Sequence, residues 1–244
     1  MKVLLLAGTP EAVQIGRALS RDQTVAGIAS TARGTRAPIP HGIPLRVGGW
    51  GGETAFEAWL IEEKIGCILD ATHPFAVNIS ARSSRVAERL GLDYMQFLRP
   101  AWTPAEGDTW TFLNDETDAA DHIPPDANVL LLTGQHRLNA FSPMNGRTVW
   151  VRLQEPNGIR FPFAHGGFQH RPVAIPVPNE IASMRALGID WVIARNTGGG
   201  DEMPTIEAAR RLSLPVGMIR RPPQPEGPRI QTVSEALAWV RRRL

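Results

Sequence analysis

The sequence has little cysteine, little lysine and no long apolar run. Its one cysteine, Cys67, lies inside the apolar stretch "CILDA". A disulfide framework is excluded, no metal site is expected, and Cys67 reads as a small buried hydrophobe. No apolar run approaches the ~18 residues of a membrane helix. The start, "MKVLLLAGTPEA", leads into Gly-Thr-Pro-Glu rather than a cleavage site. It reads as a first strand, and a cytoplasmic protein is expected, with no membrane partner. The net charge of +2 is too small for a broad nucleic-acid surface. Lys2 and Lys64 are the only lysines, and the other basic side chains are arginines. Arginine suits bidentate capture of carboxylate or phosphate.

What is present is an alternation of apolar runs and helical patterns. "KVLLLA", "TVAGIAS", "IPLRVG", "GCILDA" and "DYMQFL" read as strands. Helical patterns such as "PEAVQIGRALS", "ETAFEAWLIEEKI" and "AVNISARSSRVAERLG" separate them. Near-continuous apolar strands joined by helices predict a parallel α/β sheet covered on both faces. "RPAWTPAEGD", 99–108, breaks the pattern, and a domain boundary is expected there. A second alternating set follows: strands "TWTFL", "NVLLLT", "RTVWVRL", "DWVIAR" and "LPVGMIR", with helices from Asp115, Asn179 and Glu202. The division is therefore 1–100 and 101–244. "RRPPQPEGP", 220–228, is expected to run extended. The closing helix "SEALAWVRRRL", capped at Thr232 or Ser234, has an apolar stripe that suits either unit.

Ligands of parallel α/β sheets sit beyond the carboxyl ends of the strands, so those loops matter most. "AGTPEA", 7–12, is not GxGxxG, yet Gly8 allows a tight turn, Thr9 offers a hydroxyl, and a helix N-terminus follows at Pro10, as suits a phosphate. An ordinary capped turn would also look like this. After the second strand an NAD site commonly has an acid. Here Ser30, Thr31 and Arg33 stand instead, which favours the 2′-phosphate of NADPH over NADH. "DATHPFA", 70–76, offers Asp70 to cap a helix or hold the loop, Thr72 as a donor, Pro74 as a fixed bend and Phe75 as a flat face. His73 has no partner carboxylate or nucleophile legible in the sequence. "RNTGGGDE", 195–202, spends backbone entropy on three glycines, which points to close approach of a ligand to bare amides. "TGQH", 133–136, repeats the Thr-Gly theme.

"DATHPFA", "TGQHRL" and "RNTGGG", with the Gly8-Thr9 turn and the Gly48-Gly49 loop, resemble in order the precorrin-6A reductases of cobalamin biosynthesis. Phe75 stands where tyrosine is common in the family, and His136 and Arg195 where lysines are expected. The resemblance implies two Rossmann-like parallel-sheet domains with the active site in the cleft between them. It implies NADPH-dependent reduction of one macrocyclic double bond of precorrin-6A to give precorrin-6B: hydride from the nicotinamide, and a proton at the adjacent carbon. Residues 1–100 would then bind NADPH and 101–244 the tetrapyrrole. Gly8, Thr9, Ser30, Thr31 and Arg33 are assigned to the adenosine-phosphate half, and Ala71, Thr72, His73, Pro74 and Phe75 to the nicotinamide end. Thr133, Gly134, Gln135, Asn196, Thr197, Gly198, Gly199 and Gly200 are assigned to the substrate, with Arg220 and Arg221 for its carboxylates. The catalytic proton donor is unknown; His73, His136 and water are candidates. Neighbouring enzymes of the pathway are candidate partners. Alternatives are a cobalt-precorrin-6A reductase of the anaerobic route, a dihydrodipicolinate-type reductase, and a non-catalytic NADP-sensing regulator.

Overall fold

The computed structural model describes residues 1–32, 41–135, 137–153, 158–171 and 175–243. The chain forms two units, residues 1–100 with 222–244, and residues 101–221.

The first unit begins with β1 (Lys2–Ala7), α1 (Pro10–Leu19), β2 (Ala26–Thr31), β3 (Leu45–Val47), α2 (Glu53–Glu62), β4 (Ile65–Ala71), α3 (Val77–Leu90) and β5 (Asp93–Phe97). The local sequence explains these elements. In β1 the side chains of Val3, Leu4 and Leu5 are all fully buried, as a strand covered on both faces requires. Thr9 caps α1 by accepting from the Ala12 amide, and Pro10 occupies its first turn. Gly91, in the left-handed region, ends α3.

The second unit holds β6 (Trp110–Leu113), a short 3₁₀ turn with α4 (Ala119–His122), β7 (Asn128–Leu131), β8 (Thr148–Leu153), β9 (His165–His170), α5 (Val177–Leu187), β10 (Trp191–Arg195), α6 (Met203–Arg211) and β11 (Val216–Ile219). The chain then returns to the first unit as β12 (Arg229–Ile230) and α7 (Val233–Arg241).

The sequence pattern puts 101–244 in the second unit and leaves the closing helix to pack on either; the structure groups 222–244 with the first. Two contacts decide this. β12 pairs with β5, Arg229 opposite Gln96 and Ile230 opposite Phe97. The stripe of α7 (Ala236, Trp239, Val240) joins Ala12, Ile15 and Leu19 of α1 over Val3, Leu5, Cys67 and Leu69. On the other sheet face, Phe56 and Leu60 of α2 and Val86 and Ala87 of α3 cover Leu4, Leu6 and Ile68. Successive β1 residues thus serve opposite cores.

Each sheet has six strands, ordered β3-β2-β1-β4-β5-β12 and β9-β8-β7-β10-β11-β6. All the pairings are parallel. Both repeat the doubly wound order 3-2-1-4-5-6 of dinucleotide-binding folds. The sixth position is filled from opposite directions, by the returning β12 in one unit and by the leading β6 in the other. β9 has no apolar alternation in "HGGFQH" and was not expected from the pattern. Gly166 makes its pairing feasible: a Cβ there would sit 1.8 Å from the Val149 carbonyl oxygen.

Candidate functional site

In the first sheet the strand order reverses between β1 and β4. Ligands of such sheets bind beside that switch point, beyond the carboxyl ends. There the loop after β1 and the loop after β4 lie against each other. The Thr9 hydroxyl donates to the Ala71 carbonyl at 3.0 Å. A Cβ on Gly8 would come within 3.0 Å of the His73 amide nitrogen and 3.2 Å of the Thr72 Cα. A side chain at this position would push the 72–73 backbone away by a few tenths of an ångström, so glycine suits this close approach. Gly8 itself is exposed and Thr9 is buried, so the backbone faces outward while the Thr9 hydroxyl ties the two loops together. Glu11 would place a negative charge in the first turn of α1, but Arg99 meets its carboxylate at 3.0 Å. The start of α1 thus fits a phosphate through the exposed Gly8 backbone and a neutralised acid, although Pro10 has no N–H and the Ala12 amide is taken by Thr9.

Asp70, fully buried at the end of β4, supports the loop from beneath. Its carboxylate accepts from the Thr72 amide at 3.0 Å and from the Tyr94 hydroxyl at 2.6 Å. Burial, reinforced by the charge and hydrogen bond of Asp70, holds the Tyr94 hydroxyl far above the usual phenol range. Tyr94 therefore remains a protonated donor. The Thr72 hydroxyl shares a hydrogen bond with Ser80 at 3.1 Å. The Phe75 amide donates to His73 Nδ1 at 3.2 Å, and the Ala76 amide to the His73 carbonyl at 2.7 Å. A neutral His73 accepting at Nδ1 carries its hydrogen on Nε2. Gln224, from the returning segment, donates to the buried Pro74 carbonyl at 2.9 Å and accepts from Gln96 at 2.9 Å.

Ser30 is buried at the end of β2, directly beside Leu6 of β1. Thr31 ends the same strand, and its carbonyl accepts from the Gly48 amide at 2.8 Å. Arg33 lies outside the described residues. Arg46, not singled out in the sequence, donates to the carbonyls of Gly48 and Gly49 and lies 4.2 Å over the Trp50 ring.

The second sheet reverses between β7 and β10, and the remaining loops meet there. The Leu132 amide donates to the Ile193 carbonyl at 2.8 Å, which starts the 132–135 loop against β10. Thr133 is buried, and its hydroxyl has no hydrogen-bond partner among the described residues. Gly134 has φ +67°, and His136 lies outside the described residues. The Asn196 amide group is consumed within the protein: it accepts from the Trp102 amide and donates to the Trp102 carbonyl, both at 2.8 Å. Arg221 donates to the carbonyls of Asn196 and Thr197 at 2.7 and 2.9 Å, so it shapes the loop that the sequence assigns to substrate. Arg220 stacks on Phe112 at 4.5 Å. Gly198 has φ +69°, and a Cβ on Gly200 would meet open space. Among the described residues no group of three His, Cys, Asp or Glu could hold a metal, and no helix is long and apolar enough to cross a membrane.

The braces Tyr94, Gln224 and Trp102 were not read from the sequence. One signal was available: Asp70 ends an apolar run, and a buried carboxylate needs donors.

Two Rossmann-like units, each with loops gathered at its switch point, define an α/β protein of the dinucleotide-binding architecture. Over residues 2–241 the chain matches the family described as "Precorrin-6x reductase CbiJ/CobK", and it belongs to that family. It is similar to the precorrin-6A reductase of Rhodococcus erythropolis, 34% identical over 98% of this chain and 97% of the relative. The enzyme of the same name from Rhodobacter capsulatus is 32% identical over 98% and 95%. A solved structure titled "CobK precorrin-6A reductase" matches with a TM-score of 0.93 at 31% identity, covering 100% of this chain and 97% of that one. The chain is accordingly an oxidoreductase.

Proposed function

We propose that this protein reduces one double bond of the precorrin-6A macrocycle with NADPH, giving precorrin-6B in cobalamin biosynthesis. The observation that carries the reading is the pair of loops at the first switch point, Gly8-Thr9 against 71–75, in a chain of this family.

NADPH, when bound, supplies a hydride from its nicotinamide ring. The chain's task is to bind and orient. The bare backbone at Gly8 and the positive end of the α1 dipole receive the pyrophosphate. Ser30, Thr31 and Arg33 take the adenosine ribose and its 2′-phosphate. The braced loop 71–75 holds the nicotinamide end, with His73 beside it and Phe75 offering a flat face. In the second unit, the loops 133–135 and 196–200 present backbone amides to a flat polycarboxylate.

The test is a titration with NADPH and NADH, followed by nicotinamide fluorescence, then addition of precorrin-6A with absorbance read at 340 nm. Tight NADPH binding, with oxidation only when the tetrapyrrole is present, is expected. NADPH binding without oxidation would move the reading to a sensor or another substrate, and turnover of the cobalt-bearing substrate alone would move it to the anaerobic route. Arg33→Ala should weaken NADPH far more than NADH; equal loss would remove Arg33 from the 2′-phosphate role.

A further inference from the structure

Two loops follow the strands at the second switch point. A single buried carboxylate ties them together. Glu116, with 3% of its side chain exposed, accepts from Arg195 at the end of β10 through Nε at 3.0 Å and Nη2 at 2.6 Å, both on Oε1. Its other oxygen, Oε2, lies 3.1 Å from Nε of Arg137, at the end of the loop after β7. Arg137 thus forms an ion pair with the buried carboxylate through Nε. Its side chain is 60% exposed, and its terminal amino groups make no hydrogen bond with a described residue. That end of the guanidinium is the fork that meets a carboxylate bidentately.

The backbone of Arg137 singles it out further. It sits at φ +67°, ψ +18°. Two other non-glycine residues among those described share a positive φ, Lys64 and Ser213. Each of those follows the last turn of a helix, α2 and α6, where the left-handed conformation is an ordinary terminator. Arg137 follows no helix. A long, exposed cation held in a conformation that favours glycine is the kind of local strain that gathers at ligand clamps. The surrounding charges have other commitments. The neighbouring Asp115 carboxylate accepts from the Thr117 amide at 2.7 Å and from the Thr117 hydroxyl, and these bonds, more than Arg137, hold it below its usual range.

We infer that Arg137 is a carboxylate-binding residue of the second unit, presented by Glu116, and that it takes one acid side chain of the substrate. This rests on the reading of that unit as the tetrapyrrole-binding one. It adds a residue that stands in "TGQHRL" but is given no role from the sequence, while Arg220 and Arg221 are engaged with Phe112 and the 196–197 carbonyls.

The experiment compares the full-length protein with Arg137→Gly and Arg137→Lys. Precorrin-6A is titrated without NADPH by quenching of tryptophan fluorescence, and kcat, KM and the thermal midpoint are measured separately. Arg137→Gly should weaken precorrin-6A binding, and raise its KM, about tenfold to a hundredfold, the effect of losing a charged hydrogen-bonded pair. The NADPH affinity and kcat at saturating substrate should stay within about twofold. The midpoint should not fall, because glycine suits the left-handed backbone. Arg137→Lys, which keeps the charge and loses the fork, should recover only part of the binding. Unchanged precorrin-6A binding in Arg137→Gly, with the wild type binding and turning over, would overturn the assignment and leave the proposed reaction standing. If the wild type neither binds nor reduces precorrin-6A, the substrate reading fails and takes this residue with it.

Discussion

A carboxylate at the buried end of an apolar strand has to find donors, and Asp70 finds two, the Thr72 amide and the Tyr94 hydroxyl. The 71–75 loop is therefore shaped from below by a residue that need not touch a ligand. Asp70→Ala should strand a buried phenol and cost about 1–3 kcal/mol. It should also weaken NADPH, if the proposed role of the loop holds, while Tyr94→Phe should do both to a smaller degree. Urea denaturation and a nicotinamide-fluorescence titration measure the two effects; unchanged cofactor affinity in Asp70→Ala would separate the brace from the site. Cys67 behaves differently. Burial pushes its thiol up to about 12 from an ordinary value near 9. The unfolded thiol ionises first as pH rises, so its contribution to stability is complete below about pH 9 and is lost between about pH 9 and about 12. At neutral pH a disulfide reagent should modify Cys67 only at the rate of unfolding, and prompt modification of the native protein would contradict its burial.

At the scale of elements, the last helix is held by its first turn. The Thr232 hydroxyl accepts from the Glu235 amide, and the Glu235 carboxylate accepts from the amides of Gln231 and Thr232. Those two amides hold the Glu235 carboxyl below its usual range. Thr232→Ala should cost about 1 kcal/mol in urea denaturation. The Glu235 contribution is present above the unfolded carboxylate range and is lost as pH falls through the folded value. The stability gap between the wild type and Glu235→Gln should therefore close on acidification; a gap independent of pH would show that the carboxylate charge plays no part. A capping signal of this kind is legible locally, and "QTVSEALAWV" carried it. The partner of the helix was not legible. Its stripe of Ala236, Trp239 and Val240 fits any apolar face, and only β12 pairing with β5 brings it to α1. A strand of two residues in a proline-rich stretch leaves no periodic trace.

At the scale of the whole molecule, the chain leaves the first unit after β5, builds the second without interruption, and returns to close the first. The two units should differ in autonomy. Residues 101–221 contain all six strands of their sheet and should melt cooperatively when expressed alone. Residues 1–100 lack β12 and the Trp239 stripe that covers Val3 and Leu5, and should not. Circular dichroism melts of the two fragments check this, and a cooperative melt of 1–100 would show that the returning segment is dispensable.

The sequence by itself determined the class of structure and where to look within it. Strand and helix periods, the parallel reading of continuous apolar runs, and the glycine, proline and hydroxyl residues at strand ends are all local quantities. The resemblance of three loop motifs then pointed to the family that the comparisons support. The tertiary structure alone decided which side chains remain available to a ligand. Asn196 is engaged by Trp102, Arg221 by the 196–197 carbonyls and Thr9 by Ala71, while the Arg137 side chain stays largely exposed. A motif records which groups a loop carries. Their partners come from strands and segments distant in the chain, and sheet register, set by long-range pairing, determines which of those groups meet.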